Sequence, residues 1–165
     1  MVNYLKIKTK DDCIIIVEKH IANMSLLFEK MYDNIDDCVN VSDLNIPKIP
    51  INRSILCKVI EFMEYHYKTP MEKIQKPLIS NDFYKCGISK WDADYVNIDC
   101  DLLFDLASAS EHLNIPDLTE LICAKIASIL MDKNIEEIQK CLDIDDATFN
   151  TLKCDGNWFK HDGDL

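Results

Sequence analysis

Residues 117–131 read Asp-Leu-Thr-Glu-Leu-Ile-Cys-Ala-Lys-Ile-Ala-Ser-Ile-Leu-Met, and most of them are apolar. On a period of 3.6 residues, these apolar positions cover more than one stripe of a helix. The pattern therefore predicts a helix with packing partners on two sides. One partner is the rest of the domain. The surplus side faces either a second protein or the chain's own C-terminal tail.

The composition limits the classes of function. With 165 residues and 48% hydrophobic residues, the chain is long enough for one domain with a well-formed core and an appended element. A net charge of −11 opposes binding to the phosphate backbone of nucleic acids and to anionic membranes. The N-terminal residues show neither a signal-peptide pattern nor a transmembrane span, so we expect an intracellular protein.

The cysteines and glycines argue against metal binding and catalysis. The eight cysteines are widely spaced and several lie in helical patterns, which favours free thiols in a reducing compartment. No Cys-x-x-Cys or His-x3-His spacing predicts a zinc site. With only three glycines, the chain lacks a phosphate-binding loop and a Gly-x-Ser-x-Gly elbow. We expect no catalytic residue, no metal and no cofactor.

Upstream of the two-sided helix, the pattern predicts a small sheet followed by helices. Alternation in residues 5–9 and a β-branched run in 13–17 predict a β-hairpin. Ser25 and Asn52 are predicted helix caps, and Asp99 or Asp101 is predicted to cap the helix before residue 114. Residues 71–90 lack periodicity and predict a long linker. Asn134 is predicted to cap a final helix. The order of elements indicates an α+β fold with its sheet in the first half.

Several stretches together resemble the Skp1 family, whose members have a BTB/POZ domain followed by a C-terminal helical extension. The matching residues are 11–14, 17–18, 21–22, 54–61, 91–92, 99, 103–106, 113–115, 118, 136–138 and 157–158, in the family's order. The Trp91-Asp92 pair and the Glu136-Glu137-Ile138 run are the most specific of them. The resemblance implies a small sheet with flanking helices. It divides the chain into a first BTB/POZ part at 1–68, a variable loop at 69–90, a second BTB/POZ part at 91–116 and the helical extension at 117–165.

The resemblance implies a non-catalytic adaptor in SCF-type cullin-RING ubiquitin ligases, located in the cytoplasm and nucleus. Its BTB/POZ part would bind a cullin, and its helical extension would bind F-box proteins. Residues 111–112 would face the cullin; Glu111-His112 stands where the family usually has Asn-Tyr. A weak homodimer of the free chain is a further expectation. The residues expected to contact an F-box are Ile122, Ile126, Ile129, Ile135, Ile138, Leu142, Ile144 and Trp158.

Two other binding functions compete with this interpretation. An elongin C-like adaptor shares the BTB/POZ fold, but that family lacks an extension like residues 117–158. A self-associating BTB scaffold requires a two-fold or swapped dimer and is normally attached to another domain. An enzyme is a third alternative, for which the sequence offers no supporting residues.

Overall fold

The computed structural model describes residues 4–33 and 46–142. Within them, two strands precede a series of helices, and none of these helices is long and apolar enough to span a membrane. The strands are β1 (Tyr4–Lys8) and β2 (Ile14–Glu18). The α-helices are α1 (Lys19–Ala22), α2 (Leu26–Asp33), α3 (Arg53–Lys68), α4 (Lys90–Tyr95), α5 (Cys100–Leu113), α6 (Pro116–Leu130) and α7 (Ile135–Cys141), with a 3₁₀ helix at Phe83–Cys86. This order confirms the predicted α+β class.

The predicted hairpin is present as the antiparallel pair β1–β2. Its turn closes where the Thr9 N–H donates to the Cys13 carbonyl at 2.8 Å. Asp12 adopts a positive φ of 59°, a conformation that aspartate tolerates in turns. On the other edge of β1, the Lys8 N–H donates to Pro47 O and the Lys8 carbonyl accepts from Ile49 N–H, both at 2.9 Å. The segment around residues 47–49 therefore lies beside β1, opposite β2.

The core is built around α3, which packs against α5 and α1. Its buried side chains recur at helical spacing, so one face of the helix is apolar as the sequence predicted. Strand β1 contributes Leu5 and Ile7, which are fully buried. Helix α2 packs against α5 through the same core. The buried residues of α3 are Ile55, Leu56, Val59, Phe62, Met63 and His66.

The helix caps are partly as predicted. Ser25 caps α2, since its Oγ accepts from the Phe28 N–H at 3.2 Å. Asn52 precedes α3, but its side chain makes no capping hydrogen bond. The carboxylate of Asp11, in the hairpin turn, accepts instead from the Arg53 N–H at 2.9 Å. The prediction for the Asn52 side chain was therefore wrong, because an acceptor distant in sequence occupies that position.

Two further predicted caps have different outcomes. Asp99 stands at the start of α5 without a side-chain capping bond. Asn134 does cap α7: its side chain accepts from the Glu137 N–H at 2.9 Å, and the Glu137 carboxylate accepts from the Asn134 N–H at 3.1 Å. This reciprocal pair is a capping box. It gives the short helix α7 a defined start.

The predicted linker is more ordered than its lack of periodicity suggested. It contains the 3₁₀ helix, which Asp82 caps and which Gly87 ends in the left-handed conformation at φ 74°. The side chains of Ile74, Phe83 and Ile88 are buried. Because Lys90 begins α4, we use the name variable loop from here on for residues 69–89. These buried side chains hold the loop in place, and the periodicity of the sequence does not indicate such burial.

The chain divides into two compact units, one ending at Ser128 and one beginning at Ile129. Helix α6 confirms the helix predicted at 117–131 and runs across this boundary. The first unit contains the hairpin and the core around α3. The second contains α7 among its described residues. The finer partition at residues 68, 90 and 116 stays a prediction.

Candidate protein-binding surfaces

The outer face of α5 is the first candidate surface. Leu103, Leu106 and Leu113 face the core and are buried. The opposite side of the helix exposes polar side chains around Phe104, whose residue is 37% exposed. Helix α5 ends at Asn114, which takes the left-handed conformation with φ 54°. This ending confirms the break predicted there. The exposed polar residues on this side are Asp105, Ser108, Glu111 and His112.

Beside this face lies a groove of about 310 Å³ between α5 and the segment that leads into α3. Pro50 and Ile55 form part of one wall, and Asp105 and His112 lie on the α5 wall. Lys10 from the hairpin turn completes the rim. The groove thus combines apolar walls with groups of both charge signs. It is suited to accept a protein side chain, and the described residues contain no His/Cys/Asp/Glu cluster that would hold a metal.

Glu111 and His112, the residues expected to face a cullin, are both exposed at the last turn of α5. His112 lines the groove, whereas Glu111 is not among the lining residues. A basic group near a helix C-terminus interacts favourably with the helix dipole, and an acidic group does not. The position of Glu111 is therefore not explained by helix stability. Their role in binding a cullin stays a prediction.

The expected F-box contacts on α6 differ in accessibility. Ile122 is 0% exposed and belongs to the core of the first unit. In this arrangement it offers no surface to a partner, which corrects its assignment as a contact. Ile126 and Ile129 are partly exposed. Helix α6 has apolar residues on several sides. The sequence alone does not show which of these sides packs against the rest of the chain and which stays accessible, and this is why Ile122 was misassigned.

In the second unit, α7 is short and has no buried residue. Ile135 is 58% exposed, and Ile138 and Leu142 are partly exposed. A single exposed isoleucine is ordinary on a protein surface, so the exposure of Ile135 alone does not define an interface. Ile144 and Trp158 lie outside the described residues. Contact of all these residues with an F-box stays a prediction.

The variable loop covers part of α6, a feature that the sequence did not indicate. The Lys76 ammonium bonds the Glu120 carboxylate at 2.7 Å. The Lys125 ammonium lies 5.4 Å from the centre of the buried Phe83 ring, within the range of a cation–π contact. Part of the surplus surface of α6 is therefore covered by this loop. Phe83 was the available signal, because an apolar aromatic in a polar stretch often anchors a loop.

The Trp91-Asp92 pair, one of the most specific stretches of the resemblance, has a structural role. The Trp91 ring stacks between the rings of Tyr65 and Tyr95, with distances between ring centres of 3.8 Å to Tyr65 and 4.9 Å to Tyr95. Burial raises the pKa of the Tyr95 hydroxyl, which donates to the Lys58 carbonyl at 2.7 Å. The stack fixes α4 against α3. It places the end of the variable loop at a defined position in the core.

Asp92 forms the polar counterpart of this stack. Its Oδ1 lies 2.8 Å from Nε2 of His66, and its Oδ2 accepts from the Ser89 hydroxyl at 2.7 Å. The other ring nitrogen of His66 lies 2.9 Å from the Thr69 carbonyl. His66 and Asp92 are both buried. Because every polar atom of this cluster is satisfied by neighbours within the chain, the cluster serves to join α3, α4 and the variable loop.

Comparison with known proteins identifies the class to which this fold belongs. The family model described as "Skp1 family, tetramerisation domain" matches residues 3–68, and that described as "Skp1 family, dimerisation domain" matches residues 116–151. The chain belongs to the Skp1 family. Its α+β architecture is accordingly the BTB/POZ fold with a C-terminal helical region, as the resemblance implied.

Individual relatives agree with the family models. The chain is 30% identical to the S-phase kinase-associated protein 1 homolog of Tetrahymena thermophila, over 85% of this chain and 81% of that relative. It is 33% identical to SKP1-like protein 1A of Arabidopsis thaliana, over 84% of this chain and 82% of that relative. It is 29% identical to the SCF ubiquitin ligase complex protein SKP1b of Dictyostelium discoideum, with coverages of 85% and 83%.

Proposed function

We propose that this chain is a non-catalytic adaptor subunit of an SCF-type E3 ubiquitin ligase, in which it joins a cullin to F-box substrate receptors. The observation that carries the proposal is the extent of the similarity. It covers 85% of the chain in a relative named as an SCF ubiquitin ligase complex protein. It includes both the region of the hairpin and α3 and the region of α6 and α7.

The accessible residues support two binding surfaces, one for each class of partner. For the cullin, we propose the outer face of α5 with Phe104, Glu111 and His112, because Phe104 is an exposed aromatic on the helix whose Asp105, Ser108 and His112 line the groove. For the F-box, we propose the partly exposed isoleucines of α6 and the exposed side of α7. Ile144 and Trp158 complete this second set on the strength of the resemblance. We propose the cytoplasm and nucleus as its location, which imaging of a tagged chain tests.

Affinity purification of the full chain from its own cells, followed by mass spectrometry, tests the adaptor function. We expect a cullin and several F-box proteins to be recovered together. Recovery of neither class, or of self-assembled chain alone, would contradict the proposal. Recovery of proteins with a SOCS box would point instead to an elongin C-like adaptor.

Surface variants test the two proposed sites separately. Ile135→Asp and Ile138→Asp should abolish recovery of F-box proteins while the cullin is retained. Phe104→Ala should weaken the cullin contact. Burying the exposed third of a phenylalanine contributes about 2 kcal/mol, equivalent to roughly thirtyfold in Kd.

A matched control is Ile79→Asp, because Ile79 is 73% exposed in the variable loop and belongs to neither proposed surface. It should leave both classes of partner bound. Simultaneous loss of both partners from each surface variant, with unchanged circular dichroism, would show that the two surfaces are not separate.

A further inference from the structure

A proton is held between two buried side chains, His66 and Asp92. Nδ1 of His66 lies 2.9 Å from the Thr69 carbonyl oxygen, and Nε2 lies 2.8 Å from Oδ1 of Asp92. A carbonyl and a carboxylate only accept, and a neutral imidazole has a single N–H to donate. The pair therefore carries one proton more than a neutral histidine beside a carboxylate. The Ser89 hydroxyl donates to the other carboxylate oxygen at 2.7 Å, which favours the ionised Asp92 and hence the imidazolium.

The partners of this pair stand at the two ends of the variable loop. Thr69 is the first residue of the loop and Ser89 is the last. The Ser89 hydroxyl oxygen also accepts from the Asp92 N–H at 3.1 Å, at the start of α4. A continuous run of hydrogen bonds thus extends from the Thr69 carbonyl through His66 and Asp92 to Ser89. This run closes the base of the loop.

Aromatic rings enclose the imidazole and keep it from water. The ring centres of Phe62, Tyr65 and Trp91 lie 4.3 Å, 5.1 Å and 5.4 Å from that of His66. The side chains of His66 and Asp92 are 2% and 4% exposed. Solvent therefore does not replace a hydrogen bond that the pair loses unless the loop moves.

The other titratable groups of the surrounding elements bond elsewhere. On α4, the Tyr95 hydroxyl donates to a backbone carbonyl, and Asp94 accepts from a tyrosine of the loop. On α1, the ring of His20 faces the Glu18 carboxylate at 3.3 Å. The charged residues of α3, α5 and the loop are exposed or partly exposed. Within the described part of the chain, Asp92 is the charged partner of the imidazole.

Removal of the proton forces a choice between the two ends of the loop. A neutral imidazole donates one hydrogen bond, and the ionised Asp92 is a stronger acceptor than a backbone carbonyl. The remaining proton therefore stays on Nε2, and Nδ1 becomes an acceptor that faces the Thr69 carbonyl. We propose that His66 and Asp92 form a proton-dependent clasp. It holds both ends of the variable loop when the imidazole is charged, and it releases the Thr69 end when the imidazole is neutral.

Release of this end affects the half of the loop that precedes Phe83. This half is then retained by the buried Ile74 and by the pair of Lys76 with Glu120 of α6. The ammonium of that pair is 70% exposed, and exposed ion pairs contribute little. A rise in pH should therefore loosen the first half of the loop over α6, while Phe83 keeps the second half in place.

Nuclear magnetic resonance of the histidine rings measures the proton directly. Two-bond ¹H–¹⁵N correlation spectra of the full chain are recorded from about pH 5 to about pH 9, the range in which histidines change charge. We expect both ring nitrogens of His66 to be protonated at the low end and Nε2 alone at the high end. The signals that disappear in His66→Gln identify this residue. This measurement uses the parent chain, so it stands even where a variant fails to fold.

Trypsin cleavage after the exposed Lys73 measures release of the first half of the loop. When opening is fast, cleavage follows the population of the open form. The rate at each pH is divided by that of a synthetic peptide of residues 69–89, which removes the pH dependence of the protease. We expect this normalised rate to rise about tenfold between about pH 6 and about pH 9, as for the loss of one hydrogen bond from a charged group.

Three variants separate the clasp from other titrating groups. His66→Gln has no proton to lose in this range, and its normalised rate should be the same at every pH. Ser89→Ala cuts the clasp at its other end, so it should raise cleavage at every pH and keep the dependence on pH. His20→Gln is the matched control, because it removes an exposed histidine and should behave like the parent. Circular dichroism checks that each variant stays folded.

Three results would overturn the proposal. One is a normalised rate in the parent that does not change with pH. The second is a pH dependence that persists in folded His66→Gln, which would assign the effect to another group. The third is a neutral His66 with its proton on Nδ1, which would leave the Thr69 end bonded. None of these results bears on recovery of F-box proteins or a cullin, so the proposed adaptor function is tested independently.

Discussion

Removal of the Asp92 carboxylate should strongly destabilise the first unit. In Asp92→Ala, Nε2 of His66 and the hydroxyl of Ser89 both lose a partner that lies within 2.8 Å. A buried polar group left unsatisfied costs about 1–3 kcal/mol. Two such groups are left unsatisfied, so their costs add to about 2–6 kcal/mol. We therefore expect the free energy of unfolding to fall by about 2–6 kcal/mol.

Asp92→Asn is the informative intermediate variant. Its amide oxygen can still face His66, while its amide nitrogen cannot accept from Ser89. The Ser89 hydroxyl can rotate and accept from that nitrogen, so the expected loss is smaller, about 1–2 kcal/mol. Asp94→Ala is the matched control. Its carboxylate is exposed and accepts one bond, from the Tyr84 hydroxyl at 3.1 Å, and the expected change is below about 1 kcal/mol.

Urea denaturation followed by far-ultraviolet circular dichroism measures these changes. Tryptophan fluorescence, to which Trp91 contributes close to the substitution and Trp158 also contributes, provides a second probe. Coincidence of the two transitions checks two-state behaviour. A loss below about 1 kcal/mol for Asp92→Ala, or equal losses for Asp92→Ala and Asp94→Ala, would refute the reasoning. The buried cluster would then contribute little to joining α3 and α4.

Three other substitutions have defined outcomes. Ser25→Ala removes the cap of α2 and a bond of 2.5 Å to the Leu113 carbonyl, and should cost about 2–3 kcal/mol in urea denaturation. Phe83→Ala should cost about 3–5 kcal/mol and raise the proteolysis rate of the variable loop, because the buried ring anchors it; equal cleavage of parent and variant would contradict this role. Hydrogen bonds from Lys48, and to a smaller extent from Lys8, lower the pKa of the Asp12 carboxyl in the folded chain. The ionised carboxylate therefore stabilises the fold above its ordinary pKa of about 4, and this stabilisation is lost as the pH falls through the lowered pKa of the folded state. Asp12→Asn should therefore reduce stability at pH 7 and flatten the acid limb of a stability–pH curve; an unchanged acid limb would show that the pairs are lost to solvent.

Local patterns predicted the elements of the fold well. The hairpin, α3, α5 and α6 follow from period-two and period-3.6 spacing, and the Ser25 and Asn134 caps follow from local side-chain chemistry. The family was also evident from the sequence, since its matching stretches are short but occur in order. In these cases the determining contacts lie within a few residues of each other along the chain.

The features that sequence could not predict depend on distant contacts. At the start of α3, the Asp11 carboxylate accepts a backbone hydrogen bond in place of the expected Asn52 side chain. Asp11 lies in the hairpin turn, 42 positions before its partner Arg53. Ile122 became a core residue because the chain covers that side of α6. The variable loop is anchored by Phe83 and by the pair between Lys76 and Glu120, which periodicity cannot detect. Which apolar residues remain accessible is a property of tertiary packing.

The variable loop also has a practical consequence for protein engineering. Its second half is held by the buried Phe83, Cys86 and Ile88, whereas residues 75–77 and Ile79 lie at the surface. Insertions are best tolerated where the backbone is exposed and few side chains are buried. A fluorescent or affinity tag placed beside Ile79 would therefore report on the intact chain and leave both ends of the polypeptide unaltered. The same stretch offers a cleavage site for producing a nicked chain that remains assembled through its core.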